Sequence, residues 1–154
     1  MAIAAGVVIV VLAVIVIVLE RHKSTATVAP IAAAADAYAE SLPISGVAMS
    51  ESANLAGGKV TYLDGHIVNK GSRTVTGITV QVLFRNSAQE VAQNDPPQLM
   101  KFIRTRDPYI DVEPISAAPL KPGAERDFRL VFDAVTPDWD GAYPQVRILH
   151  VQTQ

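Results

Sequence analysis

Residues 2–19 form an uninterrupted apolar run, AIAAGVVIVVLAVIVIVL, without a charge, a polar side chain or a proline. A helix rises about 1.5 Å per residue, so roughly 18 residues span about 27 Å, close to the bilayer hydrocarbon thickness of about 30 Å. The run is far longer than a buried strand, and it has no polar face for lying in a membrane interface. It therefore predicts a transmembrane anchor within residues 1–23, in contact with membrane lipid from Ala2 through Val10 to Leu19.

A cleaved signal peptide is the main alternative for this run. Signal peptides carry a basic segment before an apolar region of about 7–15 residues. Here only Met1 precedes the run, and the charged cluster from Glu20 to Lys23 follows it. We therefore predict an uncleaved, single-pass anchor. Arg21 and Lys23, taken alone, would place the rest of the chain in the cytoplasm under the positive-inside rule.

Residues 24–43, STATVAPIAAAADAYAESLP, are mostly small and rich in alanine. The piece from Ile31 to Leu42 has good helix propensity. The sequence predicts a partly helical spacer that lifts the following domain from the bilayer, with Tyr38 and Leu42 on one helix face. A helix recognised by a partner is the alternative.

Residues 44–154 read as short strands separated by turns. Alternation of apolar and polar residues predicts strands at 44–52, 59–69, 74–85, 90–92, 99–103, 126–132 and 144–151. The short piece at 99–103 could equally be a helical turn. Regular turn signals without a long helical period predict a mainly β protein, an antiparallel β-sandwich. We expect the strands at 59–69 and 74–85 to form a hairpin at the centre of the core.

Composition and motifs argue against several classes of function. The net charge of −2 gives no reason to expect nucleic acid, and the absence of cysteine excludes disulfides, thiol nucleophiles and cysteine-ligated zinc. No serine lies in a nucleophile-elbow pattern, and no glycine-rich loop is placed to hold phosphate. Asp138 and Asp140 flank Trp139 in what we expect to be an ordinary turn. We therefore predict no enzyme, no catalytic residue and no cofactor.

A metal site deserves separate consideration because Asp64 and His66 are two apart on a predicted strand. They share one face, and a third ligand such as His150 could join them. Zinc normally needs three or four ligands with supporting hydrogen bonds. We expect these residues to be polar positions on a sheet surface, with no metal bound.

The loop RTRDPYID, residues 104–111, is the best candidate for a binding site. It combines charges with an aromatic ring in one predicted loop, a composition that suits protein recognition. The candidate partner-binding residues are Arg104, Arg106, Asp107, Tyr109, Asp111 and, in a later turn, Trp139. The alternative is a self-contained loop whose arginines pair with its own aspartates at little energetic gain.

Five motifs occur in a recognisable order: YLDGHIVNKG, RDPYIDVEP, APLKPG, RDFRLVFD and DWDGAYP. This order resembles an uncharacterised family of single-span acidobacterial membrane proteins, related in pattern to the FxLYD-type immunoglobulin-like bacterial domains. The resemblance covers residues 38–151. It implies a membrane-anchored, immunoglobulin-like sandwich outside the cytoplasm, in the periplasm, and it implies no known activity.

The sequence predicts an anchor and a β-sandwich but contains no catalytic motif. We therefore expect that the protein acts by holding its domain at the membrane. We expect a membrane-anchored, non-catalytic accessory or scaffold protein whose residues 44–154 bind another protein of the cell envelope. The alternative is an envelope module that binds a ligand or glycan. That alternative requires Tyr109, Trp139 and Tyr143 to line one concave surface.

Overall fold

The computed structural model of the protein describes residues 36–53 and 57–154. The predicted anchor and residues 24–35 of the predicted spacer lie outside this part of the chain, so the anchor stays a prediction. Among the described residues, no helix has the length and apolar character needed to cross a membrane.

The described residues form one short helix and nine strands. Ala37–Ser41 form a 3-10 helix, η1. The strands are β1 (Ile44–Ala53), β2 (Lys59–Val68), β3 (Val75–Arg85), β4 (Val91–Asn94), β5 (Gln98–Leu99), β6 (Lys101–Thr105), β7 (Asp111–Pro114), β8 (Glu125–Phe132) and β9 (Gln145–Thr153). Each predicted strand falls on one or two of these.

The strands form two antiparallel sheets around one core. The first sheet has the order β1-β2-β8-β6-β7. In the second, β9 pairs with one edge of β3, and β4 and β5 pair with the other. The largest fully buried side chains come from both sheets and include Phe84, Phe102 and Phe128. The predicted mainly antiparallel β architecture is therefore confirmed.

The predicted hairpin between residues 59–69 and 74–85 is wrong. β2 pairs with β1 and β8, whereas β3 belongs to the second sheet, so the link after β2 crosses between sheets. The link does not form an exposed hairpin turn, because Asn69 within it is fully buried. Its Nδ2 donates to the carbonyl oxygens of Arg73 at 2.8 Å and Leu120 at 3.0 Å, which holds the link against the chain before β8.

Residues 98–105 pass from the second sheet to the first. β5 pairs with β3, whereas β6 pairs with β7 and β8. Met100 lies buried between them, and its N–H donates to the carbonyl oxygen of Ile78 at 2.9 Å. The hairpin β6–β7 takes in both ends of the predicted loop 104–111, and residues 106–110 remain as its turn.

Phe128 packs directly over the backbone of β2 at Gly65, its cross-strand neighbour. A Cβ atom at Gly65 would lie 2.5 Å from Cζ of the Phe128 ring. Glycine is therefore required here by close approach of the ring, and not by backbone conformation. The predicted inward residues of β8, Phe128, Leu130 and Phe132, are all buried.

The folded unit begins before residue 44. Tyr38 and Leu42 are buried members of the core. Oδ1 of Asp36 accepts the N–H of Tyr38 at 2.9 Å, and its Oδ2 accepts the N–H of Val151 on β9 at 2.9 Å. The end of the predicted spacer is thus part of the β domain, because it supplies two apolar side chains to the core and is hydrogen-bonded to the second sheet.

Candidate functional site

The outer face of the first sheet carries facing rows of charged side chains. Alternation along β2 buries every second residue and turns Tyr62, Asp64 and His66 outward. In the register with β8, Arg129 lies opposite Asp64, and Asp127 lies opposite His66. Directly opposite residues of antiparallel strands interact, so complementary groups meet across the two strands.

Arg129 organises one half of this face. Its Nε donates to Oδ1 of Asp64 at 2.6 Å and its Nη2 donates to Oδ2 at 2.7 Å, a bidentate pair. The guanidinium carbon also lies 4.5 Å from the ring centroid of Tyr62. Only 13% of the Arg129 side chain is exposed. The hydrogen bonds to Asp64 raise the pKa of Arg129. The bidentate pair and the Tyr62 ring hold the guanidinium in one orientation.

Arg106 joins the β6–β7 turn to the same face. Its Nη2 donates to Oδ2 of Asp127 at 2.7 Å, and its Nη1 lies 3.9 Å from Oδ2 of Asp64. Hydrogen bonds from Arg106 and then from His66 lower the pKa of Asp127. The turn is thereby tied to β2 and β8.

His66 completes the arrangement. Its Nδ1 lies 3.0 Å from Oδ1 of Asp127, and its Nε2 lies 3.4 Å from Oε2 of Glu125. The hydrogen bond with Asp127, supported by Glu125, raises the pKa of His66 above its ordinary value of 6.5. We call the connected set the outer-face network: Tyr62, Asp64, His66, Arg106, Asp127 and Arg129.

The surface beside the network is open. β1 places Ala48 opposite Asp64 and Ser50 opposite Tyr62, so the neighbouring strand contributes only small side chains. Val131, which lies opposite Tyr62 on β8, is 44% exposed. An aromatic ring and an aliphatic side chain therefore lie beside ordered ion pairs.

The structure divides the predicted binding stretch. Arg104 on β6 pairs with Asp111 at the start of β7, as the self-contained alternative expects, and Asp111 raises the pKa of Arg104. Arg106 instead pairs with Asp127 of β8, outside the stretch. One predicted arginine therefore belongs to the outer-face network and the other to a local pair.

Asp107 and Tyr109 occupy the turn between β6 and β7. The backbone carbonyl of Asp107 accepts the hydroxyl of Thr105 at 3.0 Å. The Tyr109 side chain is 72% exposed, one of the most exposed large side chains of the described residues. The turn presents this ring to solvent, and Arg106 of the same turn belongs to the network.

Trp139 lies at the other end of the sandwich. β8 begins near the β6–β7 turn and ends before Trp139, whose ring meets Phe84 edge-to-face at 5.7 Å. Its Nε1 donates to the carbonyl oxygen of Ala142 at 2.8 Å. Trp139 closes the core, and Tyr143 beside it is 68% exposed. The three aromatic residues of the ligand or glycan alternative thus do not line one surface.

The considered metal ligands are also separated. His150 lies on β9 in the second sheet, where its Nδ1 is 3.4 Å from Oδ2 of Asp36. Asp64 is paired with Arg129, and His66 with Asp127. No group of three or more acidic or histidine side chains in the described part of the chain is arranged to hold a metal ion.

Sequence reasoning missed Arg129 and Asp127 of the network, and Glu125, which contacts His66 beside it. The available signal was alternation in ERDFRLVF, where every outward position before Val131 is charged. Read in the antiparallel direction, Asp127 and Arg129 complement His66 and Asp64 of β2. The alternation of charges in β8 predicts these ion pairs only when β2 and β8 are known to be neighbouring strands.

These features define a two-sheet antiparallel β domain with an ordered, charged outer face. The chain matches, over residues 7–145, the family described as "Protein of unknown function (DUF2393)", and it belongs to that family. No curated protein and no solved structure matches the chain. The predicted acidobacterial origin and FxLYD-like relation stay predictions.

Proposed function

We propose that this protein is a membrane-anchored, non-catalytic accessory or scaffold protein of the cell envelope. Its β domain binds another protein through the outer-face network and the exposed side chain of Val131. The observation that carries this proposal is the network itself, a continuous set of oriented charges on an open sheet surface.

The physical character of the network suits protein recognition. Tyrosine and arginine are enriched among the residues that dominate binding energy, especially where they are already packed. Arg129 is fixed by Asp64 and by the ring of Tyr62 before any partner arrives. Little side-chain entropy is then lost on association, and this entropy is a main cost of binding.

The anchor is supported by the length and purity of the apolar run. The family match begins at residue 7, inside that run, and extends to residue 145 in the β domain, so it includes part of the run as well as the domain. The resemblance described above supports an immunoglobulin-like fold and a periplasmic location. Arg21 and Lys23 favour the opposite side, but two charges give a weak bias.

A non-catalytic role is supported by the causes of the shifted pKa values. The pKa shifts of His66 and Asp127 arise mainly from hydrogen bonds on an open surface. The pKa of Asp36 is lowered mainly by the backbone N–H groups of Tyr38 and Val151. Catalytic groups are more typically shifted by burial within a cleft.

Co-purification of the full chain in mild detergent tests the proposal. Val131→Glu places a carboxylate in the proposed interface. Gln145→Glu places one at an exposed position on β9 of the second sheet, as a matched control. We expect a stoichiometric partner with the wild type and with Gln145→Glu, and loss of that partner with Val131→Glu. An unaccompanied wild-type chain, or equal retention by both variants, would contradict the proposal.

A further inference from the structure

β1 forms a long outer edge of the first sheet. It pairs with β2 on one side, and no other strand in the described ranges pairs with its second side. Its register with β2 is regular from Ala48 to Ala53, and the one irregularity lies earlier, between Ser45 and Ala48. Along this regular stretch the outward backbone N–H and C=O groups have no strand partner in the part of the chain that the structure describes. They can therefore pair with an added strand.

The other sheet edges carry features that oppose such pairing. β7 is four residues long, with two carboxylates and Pro114. β4 is equally short and leads into two consecutive prolines, whereas β5 has two residues. On β9 the N–H of Val151 is already bound by Asp36. Short strands, charges and proline protect an edge from further pairing, whereas residues 48–53 of β1 contain one charge and no proline.

The regular part of β1 presents small side chains on the outer face of the sheet. Ala48, Ser50 and Ser52 lie on that face, and all three are exposed. The residue opposite Ala48 on β2 is Asp64, and its carboxylate is already bound by Arg129. A second strand can therefore approach this edge without displacing a large side chain and without meeting an unpaired charge on the outer face.

Two copies of β1 have one favourable register for pairing with each other. In a closed two-fold dimer the two strands are antiparallel, and directly opposite residues share a sheet face, so the pair must be centred on a residue. Within residues 48–53 the centres that use most of the stretch are Ser50 and Glu51. A centre at Glu51 places two carboxylates directly opposite each other, which is destabilising. A centre at Ser50 instead places two serines opposite each other, and Ala48 opposite Ser52.

Glu51 is compatible with the register centred on Ser50 because Lys59 offsets its charge. Nζ of Lys59 lies 3.1 Å from Oε2 of Glu51 in the same chain. In this register Glu51 lies opposite Met49 of the second copy, and the two Glu51 side chains are diagonal neighbours about 7–8 Å apart. Each glutamate brings its own lysine, so the single charge of this stretch does not prevent the pairing.

We propose that β1 pairs antiparallel with β1 of a second copy of this chain, centred on Ser50, so that the two first sheets become one continuous sheet. Interfaces below about 1,200 Å² are typically weak, and pairing of two edge strands is small. The anchor of the proposed function would strengthen the contact, because holding two copies in one membrane raises their effective concentration. The contact is separate from the outer-face network, whose residues lie on β2, on β8 and in the β6–β7 turn.

Disulfide cross-linking of the full chain tests the pairing and its register, because the chain has no cysteine of its own. Directly opposite residues of antiparallel strands have Cα atoms about 4.5 or 5.5 Å apart, within the range of about 4.4–6.8 Å that a disulfide spans. We expect Ser50→Cys to form a disulfide-linked dimer when isolated cell membranes and the soluble fraction are treated with a mild oxidant.

Ala48→Cys and Ser52→Cys are the matched controls on the same face of β1. Each alone should not cross-link, since identical positions are then separated along the strand by about 13 Å, or roughly four residues at about 3.3 Å each. The two variants co-expressed with different tags should cross-link, because these positions lie opposite each other. Ser50→Lys added to both chains places two cations opposite each other and should lower this yield roughly fivefold. Ser87→Lys in the exposed β3–β4 turn should leave the yield unchanged.

A Ser50→Cys chain that stays monomeric, or equal cross-linking of all three cysteine variants alone, would overturn the proposed dimer. A Ser50→Cys adduct with a different protein would also overturn it, since β1 would then pair with a strand of that protein. An unchanged yield with Ser50→Lys would overturn the register. The fraction in which the chain is recovered reports on the anchor separately, so failure of the dimer and failure of the anchor are distinguishable.

Discussion

The hydroxyl of Tyr38 donates to Oδ1 of Asn69 at 3.1 Å, inside the domain and 31 positions apart in the chain. The same hydroxyl accepts the N–H of Arg73 at 2.9 Å. One side chain from the predicted spacer thus holds the link that carries the chain from the first sheet to the second. The position of Tyr38 defines where the β domain begins.

Tyr38→Phe is expected to destabilise the domain by about 1–3 kcal/mol, because Asn69 and the N–H of Arg73 lose a buried partner. Thermal unfolding of the full chain in detergent, followed by Trp139 fluorescence, measures this change. Tyr109→Phe removes the same hydroxyl from a 72% exposed side chain and should leave the midpoint unchanged. An unchanged Tyr38→Phe midpoint would show that the link is held without this hydrogen bond.

Gly65→Ala is expected to cost about 1–3 kcal/mol, because its new methyl group meets the Phe128 ring at less than van der Waals distance. Replacing Phe128 by Leu removes the ring that causes this clash. A double-mutant cycle should therefore show that Gly65→Ala costs less in the Phe128→Leu background. If the effects of the two substitutions are additive, the cost of Gly65→Ala does not come from its contact with the Phe128 ring.

The outer-face network makes stability depend on pH. The pKa of His66 is raised on folding, so its contribution is complete below pH 6.5 and is lost as the pH rises through its folded value. The wild type should therefore lose stability relative to His66→Gln as the pH rises above about 6.5. We expect less than about 1 kcal/mol, since both partners are partly exposed. If the stability of the wild type and of His66→Gln changes with pH in the same way, His66 is not the source of this pH dependence.

The pKa of Asp127 is lowered on folding, so the sign is reversed in acid. Its contribution is complete above its ordinary value of 3.8 and is lost as the pH falls through the lower folded value. Asp127→Asn should therefore flatten the acid side of the stability profile of the full chain. Asp107→Asn, which changes an exposed carboxylate in the adjacent turn, should retain the wild-type profile.

Asp64→Asn is expected to destabilise the domain by about 1–3 kcal/mol, because Arg129 loses its charged partner at a site where only 13% of its side chain is exposed. Denaturant unfolding of the full chain measures the change. Asp111→Asn weakens the more exposed pair with Arg104 and should shift the midpoint much less. Equal shifts of the two midpoints would mean that the lower solvent exposure of the Asp64–Arg129 pair does not increase its contribution to stability.

Alternation of apolar and polar residues predicts where the strands lie, but it does not predict which strands pair in a sheet. The inward set of β8 follows from period two alone, because burial is a property of one strand. The partner of β2 does not follow, since both a hairpin with β3 and a crossing between sheets bury the same residues. Burial of Asn69, which bonds to Leu120 from 51 positions away, decides between them.

The sequence identifies some residues of the candidate site, but it does not predict which of them pair with one another. Arg106 was identified from its loop, yet its partner Asp127 is 21 positions away on β8. Trp139 stays a candidate partner-binding residue, and the structure adds that its ring packs edge-to-face against Phe84, a contact that its turn alone does not predict. Long-range register decides both outcomes, and a single sequence does not contain it.

The most direct test of the account asks where the β domain lies relative to the inner membrane. The full chain with Ser87→Cys is made in cells, which are converted to spheroplasts and treated with a membrane-impermeant maleimide. The account predicts that the chain is in the membrane fraction and is labelled fully without detergent. A chain in the soluble fraction, or labelling only after the inner membrane is opened, would contradict it.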